Sequence, residues 1–301
     1  MASPQAAAID ALFDSFKLTI TSNPDLGLAG LREMLEKCGD LAADPGGVDY
    51  FDVSIAGVPC LWAVPHGCAM DRVLLALHGG GFYSGSRFSH RKMYAHLARA
   101  AGCRALLVDY PLAPEQIHPA QAEATLQVYQ WLHASGIAPA HIALVGDSAG
   151  GNLCLQVALL ARARGLPLPA ACMPLSPWLD PDASAESMAR NADVDRLISH
   201  AMADGLATMY LGPTPRTDPF VNAMHADFSG FPPTYIQVGG YEVLEGQALA
   251  ATARMVAAGV AANCEVFPEM QHVFQFMAGR APEADEAIGK LARWVRPLLG
   301  L

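Results

Sequence analysis

Apolar positions change their spacing twice along the chain. Near the N-terminus Ile9, Leu12, Phe13 and Phe16 recur at i, i+3, i+4 and i+7, which puts them on one face of a helix. After the break at Asn23-Pro24, Leu28, Leu31, Leu35 and Cys38 mark a second such face, and Asp44-Pro45-Gly46-Gly47 ends the helical region. Beyond Val48, short β-rich runs alternate with helix-length segments. The spacing predicts strands over Tyr50–Ile55, Cys60–Val64, Arg72–His78, Arg104–Tyr110, His141–Asp147, Ala170–Leu175, Thr234–Val238 and Asn263–Phe267. From Arg72 onward these runs are mostly apolar without clean alternation, as strands buried on both faces read. Helices are predicted over roughly Arg87–Ala101, Pro119–Ala134, Ala149–Arg164, Leu244–Ala258 and Ala281–Leu299, the last with Ala284, Ile288, Leu291, Val295 and Leu298 on one stripe. Strand–helix alternation of this kind implies an α/β fold: a mostly parallel, eight-stranded sheet flanked by helices. One stretch, residues 181–228, is too long for a simple crossover and mixes helical, polar and Pro-rich pieces. It reads as an insertion packed with the N-terminal helices as a lid.

Composition sharpens this picture by exclusion. Hydrophobic residues make up 52% of the 301 and charged residues 16%, so the chain is not disordered. Nineteen basic side chains stand against 29 acidic ones, a net charge of −10, with no basic run, so nucleic acid is not an expected partner. No apolar run is long enough to span a bilayer, and acidic Asp10 and Asp14 spoil the N-terminus as a signal peptide. The seven cysteines are widely spaced without a C-x-x-C, which suggests neither a disulfide framework nor a zinc site. A cytoplasmic protein without metal or cofactor is expected.

The chemistry concentrates in two glycine-rich turns. Gly146-Asp147-Ser148-Ala149-Gly150 lies between a predicted strand and a predicted helix. A serine on such a turn is forced into a strained conformation that projects its hydroxyl at a helix N-terminus, where developing negative charge is favoured. His78-Gly79-Gly80-Gly81 follows another apolar strand, and a glycine run there lets backbone N–H groups face a site. The dinucleotide pattern G-x-G-x-x-G fails: from Gly79 the sixth position is Ser84, and from Gly80 the third is Phe82. A nucleophilic serine needs a base and an orienting acid, which follow an elbow serine in the order acid, then histidine. Of the histidines after Ser148, His200 and His225 fall in the insertion, whereas His272 follows the strand ending at Phe267. His272 is therefore the candidate base. The acid candidates stand after the strand ending at Val238: Glu242 first, with Glu245 as the alternative.

These segments resemble the hormone-sensitive-lipase-like family of α/β-hydrolase esterases. The resemblance runs from about Leu74 to the C-terminus and rests on His78–Gly81, Tyr110-Pro111-Leu112-Ala113-Pro114-Glu115, Gly146–Gly151, Gly239–Leu244 and the Pro268–His272 loop. It implies Ser148 as nucleophile, His272 as base and Glu242 as acid, a position where the family usually has Asp. It also implies that Gly80, Gly81 and Ala149 are the oxyanion donors. A second family acid commonly follows three to four residues after the first, where this chain has Glu245 and Gly246. The resemblance further implies a helical cap built from residues 1–45 and 181–228 over a catalytic domain of residues 46–180 and 229–301, and a homodimer. Phe82, Tyr83, Trp178, Met202, Leu206 and Phe274 are the side chains expected to shape a pocket.

A serine carboxylesterase acting on short- to medium-chain esters through an acyl-enzyme is the expected function. The same residues serve lactone, thioester or amide hydrolysis, so the small-molecule partner is an ester or a lactone. A different class, a non-catalytic hydrolase-fold receptor, typically loses the histidine that is present here as His272.

Overall fold

Eight strands make one sheet: β1 Val48–Ile55, β2 Val58–Pro65, β3 Ala69–Leu77, β4 Cys103–Val108, β5 Ile142–Asp147, β6 Ala171–Leu175, β7 Thr234–Gly239 and β8 Ala262–Phe267, in the order β1-β2-β4-β3-β5-β6-β7-β8. The computed structural model describes residues 2–301. β1 and β2 form a hairpin through Ala56-Gly57, both at positive φ (52° and 82°), the twist that two-residue hairpin turns require. β2 pairs antiparallel with β4, and every later pair is parallel. Parallel neighbours need crossovers. These are α3 Arg87–Ala101, α4 Ala120–Ala134, α5 Ala149–Ala163 and α8 Glu245–Ala257, with α9 Pro282–Leu298 closing the chain. The N-terminal helices are α1 Ala7–Ser22 and α2 Gly27–Glu36, and the insertion holds α6 Ser187–Arg190 and α7 His200–Leu211.

Alternation along the central strands divides the core between the two sheet faces. Leu75, Leu77, Leu106, Val108 and Leu144 meet Leu126 of α4 and Val157 of α5 on one side. Leu74, Ala76, Leu107, Ala143 and Val145 meet Tyr94 of α3 and Leu291 and Val295 of α9 on the other. Each strand buries both faces, which is why the sequence runs are apolar without a period of two. The extra segments join opposite halves of this core. Ile9, Phe13 and Phe16 of α1 belong with the second set, and Ala203, Ala207 and Tyr210 of α7 with the first.

All eight expected strands and the five expected helices appear, with no end displaced by more than three residues. Burial on both faces fails for β8. It is an edge strand paired only with β7, and its first five residues are exposed or half-buried. Among the described residues, no helix is long and apolar enough to cross a membrane.

Leu291 is fully buried on α9 and is not among the residues that line the cavity described below. Leu291→Ala is expected to lower unfolding free energy by roughly 2–5 kcal/mol, read from the urea midpoint at unchanged slope, while turnover per folded molecule stays at the wild-type level.

Candidate active site

Ser148 sits between the last residue of β5 and the first of α5, at φ 52° and ψ −119°. An L-residue adopts this conformation at a cost of roughly 1–3 kcal/mol, so the surroundings must impose it. They do so through the backbone. The Ser148 amide donates to Leu175 O at the end of β6 (2.8 Å), and its carbonyl accepts from Trp178 N, Gly151 N and Asn152 N at 3.0–3.2 Å. The turn also requires room. A Cβ on Gly150 would lie 2.0 Å from Leu77 O, so only glycine lets the elbow press against the end of β3.

Asp147 ties the elbow to the triple-glycine turn. Its carboxylate, buried to 1% exposure, accepts from Gly79 N (3.1 Å) and Tyr94 Oη (2.6 Å) and lies 3.2 Å from His90 Nε2. Burial pushes this carboxyl up, but His90, the Tyr94 hydroxyl and His78 together hold it below the ordinary aspartate value. His78 is buried beside His90 and drops to about 4, so its ring is neutral at pH 7. It stacks on Tyr110, centroids 4.1 Å apart, and the Tyr110 hydroxyl donates to the His78 carbonyl. The turn is thus fixed from below. The N–H groups of Gly80, Gly81 and Ala149 bond to no described residue, and both glycines form part of a cavity wall. The Tyr110–Glu115 segment continues this support, because Glu115 forms a two-pronged pair with Arg32 of α2 (2.6 and 2.8 Å). Arg32 also donates to the carbonyls of Tyr83 and Ala113.

His272 Nδ1 lies 2.8 Å from Glu242 Oε2. Glu242 is fully buried, and its other oxygen accepts from Ser176 Oγ (2.6 Å) and from the Gly239 amide. Ser176 Oγ in turn accepts from Val273 N (3.0 Å), binding the acid loop to the residue after the histidine. Burial alone would lower the imidazole's pKa, but the Glu242 hydrogen bond and charge, with Asp195 and Asp147 farther off, outweigh it and raise the pKa above the ordinary histidine value. With Nδ1 engaged, Nε2 is the nitrogen left for chemistry. Glu245 instead pairs with Arg190, so of the two acids only Glu242 meets the histidine. His200 starts α7 and His225 lines a separate surface pocket.

Ser148, His272, Gly80 and Gly81 all line one cavity, which encloses about 740 Å³ with its open mouth included. Tyr83, Trp178, Met202 and Leu206 contribute to its wall as expected. Phe82 and Phe274 do not. Phe82 is fully buried, stacked on Tyr210 at 3.7 Å, and Phe274 is fully buried against Phe267. The wall is completed by residues that periodicity alone assigned to helix or lid packing, or left unassigned: Phe13, Leu35, Cys38, Leu197, Ile198 and Phe276.

A family model described as alpha/beta hydrolase fold matches residues 74–276. The acetyl-hydrolase of Streptomyces hygroscopicus is 32% identical over 301 residues, covering 100% of this chain and 99% of the relative. A crystal structure of an esterase from the bacterial hormone-sensitive lipase family superposes with a TM-score of 0.95 at 38% identity, covering 100% of both chains. That of EstE5 soaked with p-nitrophenyl butyrate gives 0.92 at 32% identity, again covering 100% of both. The chain belongs to the α/β-hydrolase family, within its hormone-sensitive-lipase-like branch of esterases.

A Cβ on Gly79 would meet Asp147 Oδ2 at 2.2 Å. Gly79→Ala is therefore expected to destabilise the fold by roughly 1–3 kcal/mol and to lower kcat, because the displaced carboxylate also holds the glycine turn. Gly205, exposed in the interior of α7 with open space around it, is the control. Gly205→Ala should stabilise by roughly 0.5–1 kcal/mol. Thermal melts and steady-state kinetics on the two variants check both expectations.

Proposed function

We propose that the protein is a serine carboxylesterase in which Ser148, His272 and Glu242 act as nucleophile, base and acid. The observation that carries this reading is that His272, paired behind the wall with the buried Glu242, lines the same cavity as the strained Ser148 and as Gly80 and Gly81 with their unpaired amides. His272 Nε2 takes the hydroxyl proton as Ser148 Oγ attacks the ester carbonyl carbon, while Glu242 holds the Nδ1 proton and stabilises the imidazolium. The N–H groups of Gly80, Gly81 and Ala149 receive the oxyanion. The C–O bond then breaks, the alcohol leaves with the proton from His272, and an acyl-serine remains. Water, deprotonated by His272, attacks that ester, the acyl–Oγ bond breaks, His272 returns the proton to Ser148 Oγ, and the acid is released.

The cavity favours uncharged substrates of short to medium acyl length. Apart from Asp147, His90 and His272, its lining carries no ionisable side chain except the Tyr83 phenol and the Cys38 thiol, which burial pushes up to about 12. Asp147 is already occupied by its own donors. An anionic or cationic substituent would find no partner there. The soak of EstE5 with a butyrate ester fits the same size range. Residues 1–45 and 181–228 act as the cap over a catalytic domain of residues 46–180 and 229–301, since both segments supply cavity residues.

Ser148→Ala should lower kcat on the order of 10⁴- to 10⁶-fold with the fold intact, and a fluorophosphonate should label wild type but not the variant. Wild-type turnover by Ser148→Ala would exclude the assignment. A panel of p-nitrophenyl esters of increasing length, with lactones and amides beside them, tests the substrate. Because His272 must be neutral to accept a proton and its pKa is raised, kcat/KM should fall on the acid side with a midpoint above that of free imidazole. A midpoint at or below the ordinary histidine value would contradict the Glu242 pairing.

A further inference from the structure

The insertion does more than cover the cavity. Its segment 191–198 holds the backbone after Glu242 and the side chain of the residue before His272. The peptide that follows Glu242 is held at each polar end: Asn191 Nδ2 donates to the Glu242 carbonyl (2.7 Å), and the Val243 amide donates to Asp195 Oδ2 (2.9 Å). The residue before His272 is held as well. Gln271 Oε1 accepts from Arg196 N and Gln271 Nε2 donates to Val194 O, both at 2.9 Å. Asp195 is buried to 3% exposure, and its other oxygen accepts from the amides of Leu197 and Ile198 at 2.9 and 2.8 Å. Those two residues are cavity wall. One carboxylate therefore joins the acid loop to the surface that a substrate would touch.

We infer that Asp195 is a positioning residue for the Glu242–His272 pair, coupling the cavity wall at Leu197 and Ile198 to the placement of the acid. The inference rests on the triad reading given above. A carboxylate accepting three backbone N–H groups is locked in place, and locking it fixes three peptides at once. Its charge also reaches the imidazole. The ionisable groups facing His272 are Glu242 from the loop after β7, Asp195 from the insertion and Asp147 from the end of β5, all acidic. The neighbouring Arg190 and Arg196 are turned to Glu245 and Asp14.

The test is Asp195→Asn, which keeps the shape and removes the charge, beside Asn191→Ala, which loosens the same peptide without changing charge. Active sites are counted by fluorophosphonate titration so that misfolded protein drops out. Asp195→Asn should lower kcat per titrated site by roughly 10- to 100-fold and move the acid limb of kcat/KM to lower pH. Asn191→Ala should lower kcat in the same direction and leave that limb in place. Wild-type kcat per site with an unmoved limb in Asp195→Asn, whatever its melting temperature, overturns the inference and makes the carboxylate purely structural. Should Asp195→Asn fold too poorly to titrate, Asn191→Ala decides, and unchanged kcat per site in that variant overturns the positioning role. Ser148→Ala, run alongside, keeps the two claims apart. If it is inactive while the cap variants behave as wild type, only the inference about Asp195 fails.

Discussion

A carboxylate with no exposure to water stands at the end of β7, and the architecture of the site follows from satisfying it. Burying an ionised carboxyl is strongly unfavourable unless its lone pairs are occupied and an opposite charge or strong donor lies close. Glu242 meets that requirement with the Ser176 hydroxyl, the Gly239 amide and the His272 ring. Each partner comes from a different segment: the loop after β6, the last residue of β7, and the loop after β8. Satisfying one carboxylate therefore draws three strand ends together. Ser176 at φ 44° and Ser148 at φ 52° are both held in the left-handed region at this convergence, which places the strain where the strand ends are tied.

A second buried carboxylate does the corresponding work on the other side of Ser148. Asp147 lies next to the serine but points away from it, toward the glycine turn, Tyr94 and His90. Two buried histidines near these carboxylates are held in opposite states. His78 faces burial and a second histidine and is kept neutral, whereas His272 faces Glu242 directly and is pushed toward the charged form. Burial leaves the ring under the glycine turn an uncharged packing group, whereas the direct carboxylate contact stabilises the imidazolium form of His272. What separates the two rings is the direct Glu242 contact, which His272 has and His78 lacks.

The frame was legible because the central strands, buried on both faces, read as short continuous apolar runs, while the helices between them read as longer segments with apolar stripes. The pattern failed at β8, whose edge position depends on a strand order that no local pattern encodes. The strand-to-helix glycine turn and the last strand-end loop single out Ser148 and His272, and the two line one cavity. The choice between Glu242 and Glu245 was not legible. Both precede or open the same helix, and only the position of Arg190, far away in sequence, draws Glu245 aside. The pocket was the least legible part. Phe13 and Leu35 look like ordinary helix-face residues and become wall only when α1 and α2 fold over the sheet. Phe82 and Phe274 flank the glycine turn and the histidine in sequence, yet their large rings are more stable packed into the core than facing a cavity.

The segments that complete the wall are also the ones that polar contacts tie to the loops carrying the glycine turn and Glu242. Arg32 joins α2 to the carbonyls of Tyr83 and Ala113, next to the glycine turn, while Asn191 and Asp195 join the insertion to the peptide after Glu242. Apolar contact alone would let these pieces slide, since burial is non-directional and roughly proportional to area. Hydrogen bonds to backbone groups fix a register, because each has one partner at one distance and angle. A cavity whose walls are registered in this way to the amides on one side and to the acid–base pair on the other holds a substrate carbonyl in fixed relation to both. In the proposed reaction, the placement of the reacting carbon over Ser148 is then a property of the whole wall, and not of the elbow alone.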